Sequence, residues 1–458
     1  MSPQLTIVIL AAGQGTRMKS DLPKVLHRIG GMSMLEHVVR SARSLAPHAI
    51  HVVYGHGGEQ VPAALADLPV NWVLQAEQRG TGHAVAQVLP QIGDDEQVLI
   101  LYGDVPLISH ETLARLADAA AGERLALLTA RLDDPAGYGR IVRDRQGSVQ
   151  AIVEEKDADA AQKTIDEINT GMMAAPARRL RDWLGRIDDD NAQGEFYLTD
   201  CVALAREDGL EVVAVTTADR IEIEGVNHRL QLARLERAYQ QRQAERLMLG
   251  GVTLRDPARF DLRGELSVGH DVEIDVGVIV EGRVELGDGC RIGPYSILRD
   301  VVLGRDVQVA AHCVLESSTV GARCQIGPFA RLRPGCALAA GVKVGNFVEM
   351  KKARIAEGSK VNHLSYVGDT EMGANVNVGA GTITCNYDGA NKHLTVIGND
   401  VFIGSDTQLI APVSVGAGAT IGAGSTITRD VPPGELTLSR AAQTTRQGWK
   451  RPRKTPKK

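Results

Sequence analysis

Ile397-Gly-Asn-Asp-Val-Phe-Ile403-Gly-Ser-Asp-Thr-Gln-Leu409-Ile-Ala-Pro-Val-Ser-Val415-Gly-Ala-Gly-Ala-Thr-Ile421-Gly-Ala-Gly-Ser-Thr-Ile427 places an aliphatic residue at every sixth position, with glycine following it four times. Val401, Thr407, Val413, Ala419 and Ser425 occupy the position four places after each aliphatic residue. A period of six matches neither a helix nor a flat sheet. It is the signature of a parallel β-helix, in which each unit is one short strand and a corner, the aliphatic side chains stack inward and small residues permit the turn. The same doublet recurs at Leu286-Gly287, Ile292-Gly293, Val320-Gly321, Ile326-Gly327, Met372-Gly373 and Val378-Gly379, so the repeat begins soon after Gly250. The frame is disturbed around 334–360 and again between Thr382 and Lys392. There Cys385-Asn-Tyr-Asp-Gly389 reads as a loop thrown out of the coil, and loops on a rigid solenoid are where function gathers.

Upstream, the pattern changes. Short apolar runs such as Ile50–Tyr54, Val98–Tyr102 and Leu125–Ala130 alternate with helical patterns, which reads as α/β. Ser33-Met-Leu-Glu36 predicts a helix start with a capping box, serine and glutamate each satisfying a free N–H of the first turn. His228 to Leu249 contains no Gly or Pro and sets Leu232, Leu235 and Tyr239 at helical spacing. It reads as a connecting helix, or equally as the last helix of the first domain. The expected organisation is a domain over 1–227, a linker helix over 228–250 and a repeat domain over 251–458 that ends in a basic tail.

Composition bounds the function. The 458-residue chain is long enough for two or three cores at roughly 150 residues each. A net charge of −5 argues against a general nucleic-acid binder, and no apolar run reaches the ~18 residues needed to cross a bilayer. The first residues lack the basic flank and long apolar segment of a secretory signal, which predicts a cytoplasmic protein. Cys201, Cys290, Cys313, Cys324, Cys336 and Cys385 form no CxxC pair, so buried thiols are expected rather than disulfides or zinc. Aromatic residues make up 3% against 49 glycines, as a small-residue repeat fold requires. Arg446 to Lys458 holds seven Lys or Arg and no acid; it reads as a solvated tail, or as an arm for a phosphate-bearing ligand or a neighbouring subunit.

The chemistry starts at Leu10-Ala-Ala-Gly-Gln-Gly-Thr-Arg-Met18, which follows the apolar run Leu5–Ile9 and precedes Pro23-Lys24. A strand ending in glycines lets backbone N–H groups approach phosphate oxygens, and Arg17 and Lys24 add positive charge. The spacing is neither that of a Walker loop nor that of a Rossmann fingerprint. Asp104, in Tyr102-Gly-Asp104 at the end of an apolar run, is a candidate magnesium ligand, since Mg²⁺ takes one or two protein oxygens plus substrate phosphates; helix capping is the alternative use of such an Asp. In the repeat region, Glu349-Met-Lys351 and Asn362-His-Leu-Ser-Tyr366 put titratable groups into a coil of small apolar residues. His363 is the candidate general base, with Glu349 proposed to orient it.

Taken together, the opening motif, the Pro-Lys pair, Tyr102-Gly-Asp104 and the trailing hexads resemble the nucleotide-sugar pyrophosphorylases. Within them, the chain to about Arg440 is most similar to the bacterial family that joins an N-acetylglucosamine-1-phosphate uridyltransferase to a glucosamine-1-phosphate N-acetyltransferase. The resemblance implies a Rossmann-like nucleotidyltransferase domain, a long helix and a left-handed parallel β-helix of hexapeptide repeats. It implies UTP, acetyl-CoA, glucosamine 1-phosphate and N-acetylglucosamine 1-phosphate as substrates, Mg²⁺ as cofactor and a homotrimer as the assembly. The product, UDP-N-acetylglucosamine, would feed peptidoglycan and lipopolysaccharide precursors.

Carried over residue by residue, the resemblance puts the nucleotide on Leu10, Ala11, Ala12, Gly13 and Lys24, with Arg17 and Lys24 catalytic. Gln75, Gly80 and Thr81 would contact the uracil, and Tyr102, Gly103 and Asp104 the phosphate region. Gly139, Glu154 and Asn169 would hold the sugar, and Asn227 would join Asp104 on the metal. In the second half, Arg333, Lys351, Tyr366 and Asn377 would bind the sugar phosphate and His363 would accept the proton. Ala380, Ser405, Ala423 and Arg440 would contact acetyl-CoA, with Asn386 and Tyr387 on the neighbouring loop.

Three other readings compete. A pyrophosphorylase for another nucleotide sugar would use its hexads only for assembly, which leaves His363 and Asn386-Tyr387 unexplained. A catalytically dead regulatory subunit would be expected to lack Lys24 or Asp104, and both are present. A hexad carbonic anhydrase would need three histidines able to meet, an arrangement that the spacing of His270, His312, His363 and His393 does not suggest.

Overall fold

The computed structural model describes residues 3–13, 15–55 and 58–454. They form two compact units that divide between Arg242 and Gln243.

In the first unit the apolar runs become strands β1 (Leu5–Leu10), β2 (Ala49–Tyr54), β3 (Asn71–Leu74), β4 (Gln97–Tyr102), β5 (Leu125–Arg131), β6 (Arg140–Arg143), β7 (Val149–Val153), β8 (Glu167–Pro176) and β9 (Val212–Thr217). The sheet order is β9-β5-β8-β4-β1-β2-β3, with the hairpin β6–β7 joined to β8. Pairing along this order is parallel except at β8, which runs antiparallel to β4 and β5. Both faces are covered. Ile7 and Ile9 enter one core while Val8 and Leu10 enter the other, so β1 is a continuous apolar run rather than an alternating one. After β3 the chain crosses β1 and returns on its far side as β4. Open α/β sheets bind ligands at such a reversal, outside the carboxyl ends of the strands; here Leu10 and Tyr102 are paired at that edge.

The capping box at Ser33 is present. Ser33 Oγ accepts from Glu36 N–H at 3.2 Å and the Glu36 carboxylate accepts from Ser33 N–H at 2.8 Å. The long helix runs Arg229–Leu249. Its Leu235 is buried among Met18, Ile29, Met34, Leu107 and Val226, with Leu232 and Tyr239 packed alongside. Glu236 accepts from Gly30 N–H at 2.8 Å.

The second unit is a stack of coils. Glu273 pairs in parallel with Arg291, Arg291 with Gln308, Gln325 with Lys343 and Lys343 with Lys360, so each coil spans three hexads, in some coils with one position missing. The aliphatic frame faces inward: Ile397, Ile403, Leu409, Val415, Ile421 and Ile427 are all buried. The small polar residues of the frame are buried too, and are satisfied locally. Thr407 and Ser425 donate to Gly404 O and Gly422 O, each at 2.6 Å. Cys290, Cys313, Cys324 and Cys336 fill interior positions as free thiols; Cys201 is free in the first unit, and Cys385 is half-buried.

The two disturbances of the hexad frame differ. Around 334–360 the coils continue, and the period slips because the coil from Lys343 to Lys360 has one side shorter than the coil from Gln325 to Lys343. Between Asn377 and its partner Phe402 the coil is longer than its neighbours, and the excess is the loop at 385–392.

The packing of Leu235 generates a prediction. A fragment ending at residue 227 lacks the helix that covers Met18 and Val226, whereas one ending at 242 keeps it. Exposing a leucine-sized side chain and its neighbours costs about 2–5 kcal/mol. Urea unfolding of the two fragments should give a clearly lower midpoint for 1–227; equal midpoints would show that the helix contributes nothing to this core.

Candidate functional site

At the carboxyl ends of β1 and β4 lies a cavity of about 330 Å³ lined by Leu10, Ala11, Ala12, Gly13, Lys24, Gln75, Gly80, Thr81, Tyr102 and Asp104. Of the expected nucleotide-site residues, these ten share one cavity. Gly103 sits behind it, its N–H donating to Leu10 O at 2.9 Å. Sequence reasoning missed Gln78 and Glu195, which also line it. Gln78 carries no motif; it donates to Ala12 O at 2.7 Å and ties the loop after β3 to the loop after β1. Glu195 arrives from far along the chain because Phe196 exchanges backbone hydrogen bonds with Arg79 and Gly82, at 2.9 Å each.

Two glycines have local reasons. Gly15 adopts φ +63°, and a Cβ there would lie 2.7 Å from Lys24 Cβ, so this position lets the lysine close over the loop. Gly80 adopts φ +109°, with Phe196 O 2.6 Å from where a Cβ would be.

The charged groups converge. Lys24 Nζ forms an ion pair with Asp104 and lies 3.4 Å from Asn227 Oδ1, which also accepts from Arg17 at 2.8 Å. Asn227 is held from behind, since its N–H donates to Gln231 Oε1 at 2.8 Å and Val226 N–H donates to Asp104 O at 3.0 Å. The Asp104 carboxylate faces the Lys24 ammonium, and the Asn227 amide oxygen lies between that ammonium and the Arg17 guanidinium. Two oxygens that share the Lys24 ammonium, beside this cavity, form a donor set suited to Mg²⁺.

The three expected sugar contacts lie together. Asn169 N–H donates to Gly139 O at 2.8 Å, and Glu154 accepts from Thr199 Oγ1 at 3.2 Å. Burial, with Asp104 and Glu154 nearby, pushes the Tyr102 hydroxyl far above its ordinary range, so it stays neutral and able to donate. Burial also raises the Glu154 carboxyl. Asp200 is pushed up to about 6 by burial and by the carboxylates of Asp188, Glu154 and Asp157.

In the second unit, coil stacking sorts the expected residues into columns. Lys360 pairs with Asn377 and Asn346 with His363, on one face. Above His363 on that face stand Ala380, Ser405 and Ala423, one per coil: Ala380 O accepts from Asp406 N–H at 2.7 Å and Ser405 O from Gly424 N–H at 2.8 Å. Arg440 then donates to Ala423 O at 2.6 Å. All four proposed acetyl-CoA residues thus follow one corner of the coil.

The adjoining face carries alternating charges: Arg263 pairs with Glu281, Glu281 with Arg299 and Arg299 with Glu316. The alternation stops at Arg333 and Lys351. Arg333 takes Glu349 at 3.0 Å, and Lys351 has no ion-pair partner among the described residues. An uncompensated cation there suits a phosphate. Tyr366 is in register with Glu349, and its hydroxyl lies 3.4 Å from Asn386 Nδ2, which also donates to Asp369. Tyr387 is capped by Lys392, whose ammonium lies 4.0 Å from the ring centroid.

One expectation is corrected. Glu349 does not orient His363, because its carboxylate is engaged by Arg333 in the neighbouring column. The partner is Asn346, whose Oδ1 lies 2.9 Å from His363 Nδ1.

Comparison with known proteins follows the same division. Residues 7–182 match the MobA-like NTP transferase domain, 262–353 the GMPPB C-terminal domain and 394–429 the bacterial transferase hexapeptide (six repeats). A curated relative, the bifunctional protein GlmU of Alkalilimnicola ehrlichii, is 61% identical over 457 residues, covering 100% of this chain and 98% of that protein. This chain belongs to the bifunctional GlmU family. A solved nucleotidyl transferase from Methanothermobacter thermautotroptrophicus is 22% identical, covering 52% of this chain and 97% of that one, at a TM-score of 0.38, which carries no argument. Both families of domain expected from the sequence are therefore present, in the expected order. Among the described residues no helix is long and apolar enough to cross a membrane.

Asp200 generates a pH prediction. Its carboxyl titrates near 3.8 when unfolded and about 6 when folded, so between these values the native state holds the extra proton. Stability therefore falls as pH rises through this window, by up to about 3 kcal/mol once both states are ionised, a ceiling that solvent screening of the half-buried carboxylate lowers. Asp200→Asn should raise the urea midpoint above pH 6 and leave it unchanged below pH 4; a gain equal at both pH values would show that burial of the charge is not the cause.

Proposed function

We propose that the first unit transfers UMP from UTP to N-acetylglucosamine 1-phosphate and that the second acetylates glucosamine 1-phosphate with acetyl-CoA, so the two activities of the family run in sequence in one chain. The observation that carries this is the end-to-end 61% identity to a bifunctional GlmU. The contacts that join Arg17 and Asn227 to Lys24 and Asp104, which line the cavity, support the residue roles.

In the first site a phosphate oxygen of the sugar 1-phosphate attacks the α-phosphorus of UTP in line. The new O–P bond forms as the bond to the bridging oxygen breaks, and pyrophosphate leaves. Gln75, Gly80 and Thr81 hold the base, Gly139, Glu154 and Asn169 the sugar, and the Leu10–Gly13 backbone the phosphates. Arg17 and Lys24 neutralise the charge that builds up on the phosphates; positioning and charge neutralisation are what such transfers need. Asp104 and Asn227 would hold Mg²⁺, which supplies further neutralisation.

In the second site Arg333 and Lys351 bind the sugar phosphate, with Tyr366 and Asn377 on the sugar. Ala380, Ser405, Ala423 and Arg440, with Asn386 and Tyr387, hold acetyl-CoA. The amine nitrogen attacks the thioester carbonyl, the C–N bond forms and the C–S bond breaks. His363 Nε2 takes the amine proton, and coenzyme A leaves as a thiolate that is then protonated. We read the assembly as a trimer, because a coil of three hexads has flat faces that closed rotation buries. The enzyme then acts in the cytoplasm, where its substrates are.

The two activities share no proposed residue, so they should separate by mutation. Asp104→Ala should lower pyrophosphate release roughly a thousandfold or more and spare thiol release from acetyl-CoA. His363→Ala should do the reverse, by about 10²–10⁴. Full uridyl transfer by the first variant, or acetyl transfer within tenfold of the parent by the second, would remove that residue from its role.

A further inference from the structure

We propose that Asn346 is a positioning residue for acetyl transfer, which fixes the tautomer and the aim of the His363 imidazole. The proposal rests on His363 being the general base. Asn346 and His363 are register partners on successive coils, and Asn346 Oδ1 lies 2.9 Å from His363 Nδ1. A carboxamide oxygen only accepts, so Nδ1 carries the hydrogen and donates it. The lone pair is then on Nε2, the ring nitrogen that does not face Asn346, on a residue that is exposed. The opposite tautomer would set two acceptors against each other and put the hydrogen on the nitrogen that must take a proton.

The same residue also fixes the backbone. Asn346 O accepts from Leu364 N–H at 3.1 Å, and His363 O accepts from Ser365 Oγ at 2.8 Å, so the corner after His363 is tied down on both sides. Leu364 takes φ +47° at that corner, which turns the chain sharply from the face carrying His363 to the face carrying Tyr366. With the backbone fixed and the residue exposed, the bond to Asn346 is the side-chain contact that sets the aim of the imidazole.

A neutral acceptor is chemically distinct from the carboxylate of a Ser-His-Asp triad. A carboxylate fixes the tautomer and also favours imidazolium, whereas the amide fixes the tautomer alone. The Glu349 carboxylate is held by Arg333, and no charged side chain bonds to His363 among the described residues. The charge imbalance that binds phosphate stays in the adjacent column.

The test uses the full-length protein with three variants, and uridyl transfer by the same molecules as the control for folding. Asn346→Leu removes the acceptor at similar size; kcat for acetyl transfer should fall about 10- to 100-fold while KM for both substrates stays within about twofold. Asn346→Asp restores an acceptor oxygen; kcat should recover at alkaline pH, and the acid limb of the pH–rate profile should move upward because the carboxylate favours imidazolium. A merely structural role would produce neither the recovery nor the shift. Asn346→Leu within twofold of the parent, or Asn346→Asp no better than Asn346→Leu at any pH, overturns the proposal. His363→Ala separates the two claims: if it is inactive while Asn346→Leu is unimpaired, only the positioning role fails, and if it stays active the base assignment fails as well.

Discussion

Parallel backbone pairing in fixed register places the side chains that do chemistry in both units. In the first, β1 and β4 run side by side so that Leu10 and Tyr102 end together, and the loops that follow open into one cavity. In the second, coils of three hexads stack so that Asn346 lies under His363 and Glu349 under Tyr366. Each rung satisfies its backbone groups and buries an aliphatic side chain worth about 1.5–3 kcal/mol, which makes a slip of register expensive. Side chains on such a frame need little further ordering to converge, and preorganised groups act without reorganisation during the reaction.

Several of the candidate site residues sit where that regularity is interrupted. The strand order reverses beside β1, and the loop after β1 and Lys24 line the cavity there. The coil is interrupted at the 385–392 loop, which carries Asn386 and Tyr387. Charge follows the same logic. The Arg–Glu alternation from Arg263 to Glu316 neutralises one face, and its break at Arg333 and Lys351 leaves positive charge at the proposed phosphate contacts. In the first unit the Lys24 ammonium contacts both Asp104 and Asn227, whose oxygens are proposed to hold a metal ion.

How much of this was legible depended on the range of the interaction. The hexad period was legible because every sixth side chain meets the same interior, and the Ser33–Glu36 box because both partners lie within one helical turn. The grouping of Leu10 to Gly13 with Lys24 at the end of a strand was legible as a candidate site, and the resemblance supplied the candidates at a distance, Asn227 and Glu154 among them. Contacts set by stacking were not legible. Asn346 lies a whole coil before His363, and choosing between it and Glu349 requires knowing which face each occupies. The frame slip near 334–360 looked like a break because one short side shifts the period without disturbing the stack. Glu195 reaches the cavity through backbone bonds of Phe196, which leave no mark in composition.

The central claim is that one chain carries two different reactions in a fixed order. The direct measurement supplies the full-length protein with glucosamine 1-phosphate, acetyl-CoA, UTP and Mg²⁺, follows thiol, pyrophosphate and nucleotide sugar together, and omits each component in turn. The account predicts all three products in the complete mixture, thiol release without UTP, and no nucleotide sugar without acetyl-CoA unless N-acetylglucosamine 1-phosphate is added. Nucleotide sugar formed from glucosamine 1-phosphate at full rate without acetyl-CoA, or pyrophosphate release with no acetyl transfer under any condition, would contradict it.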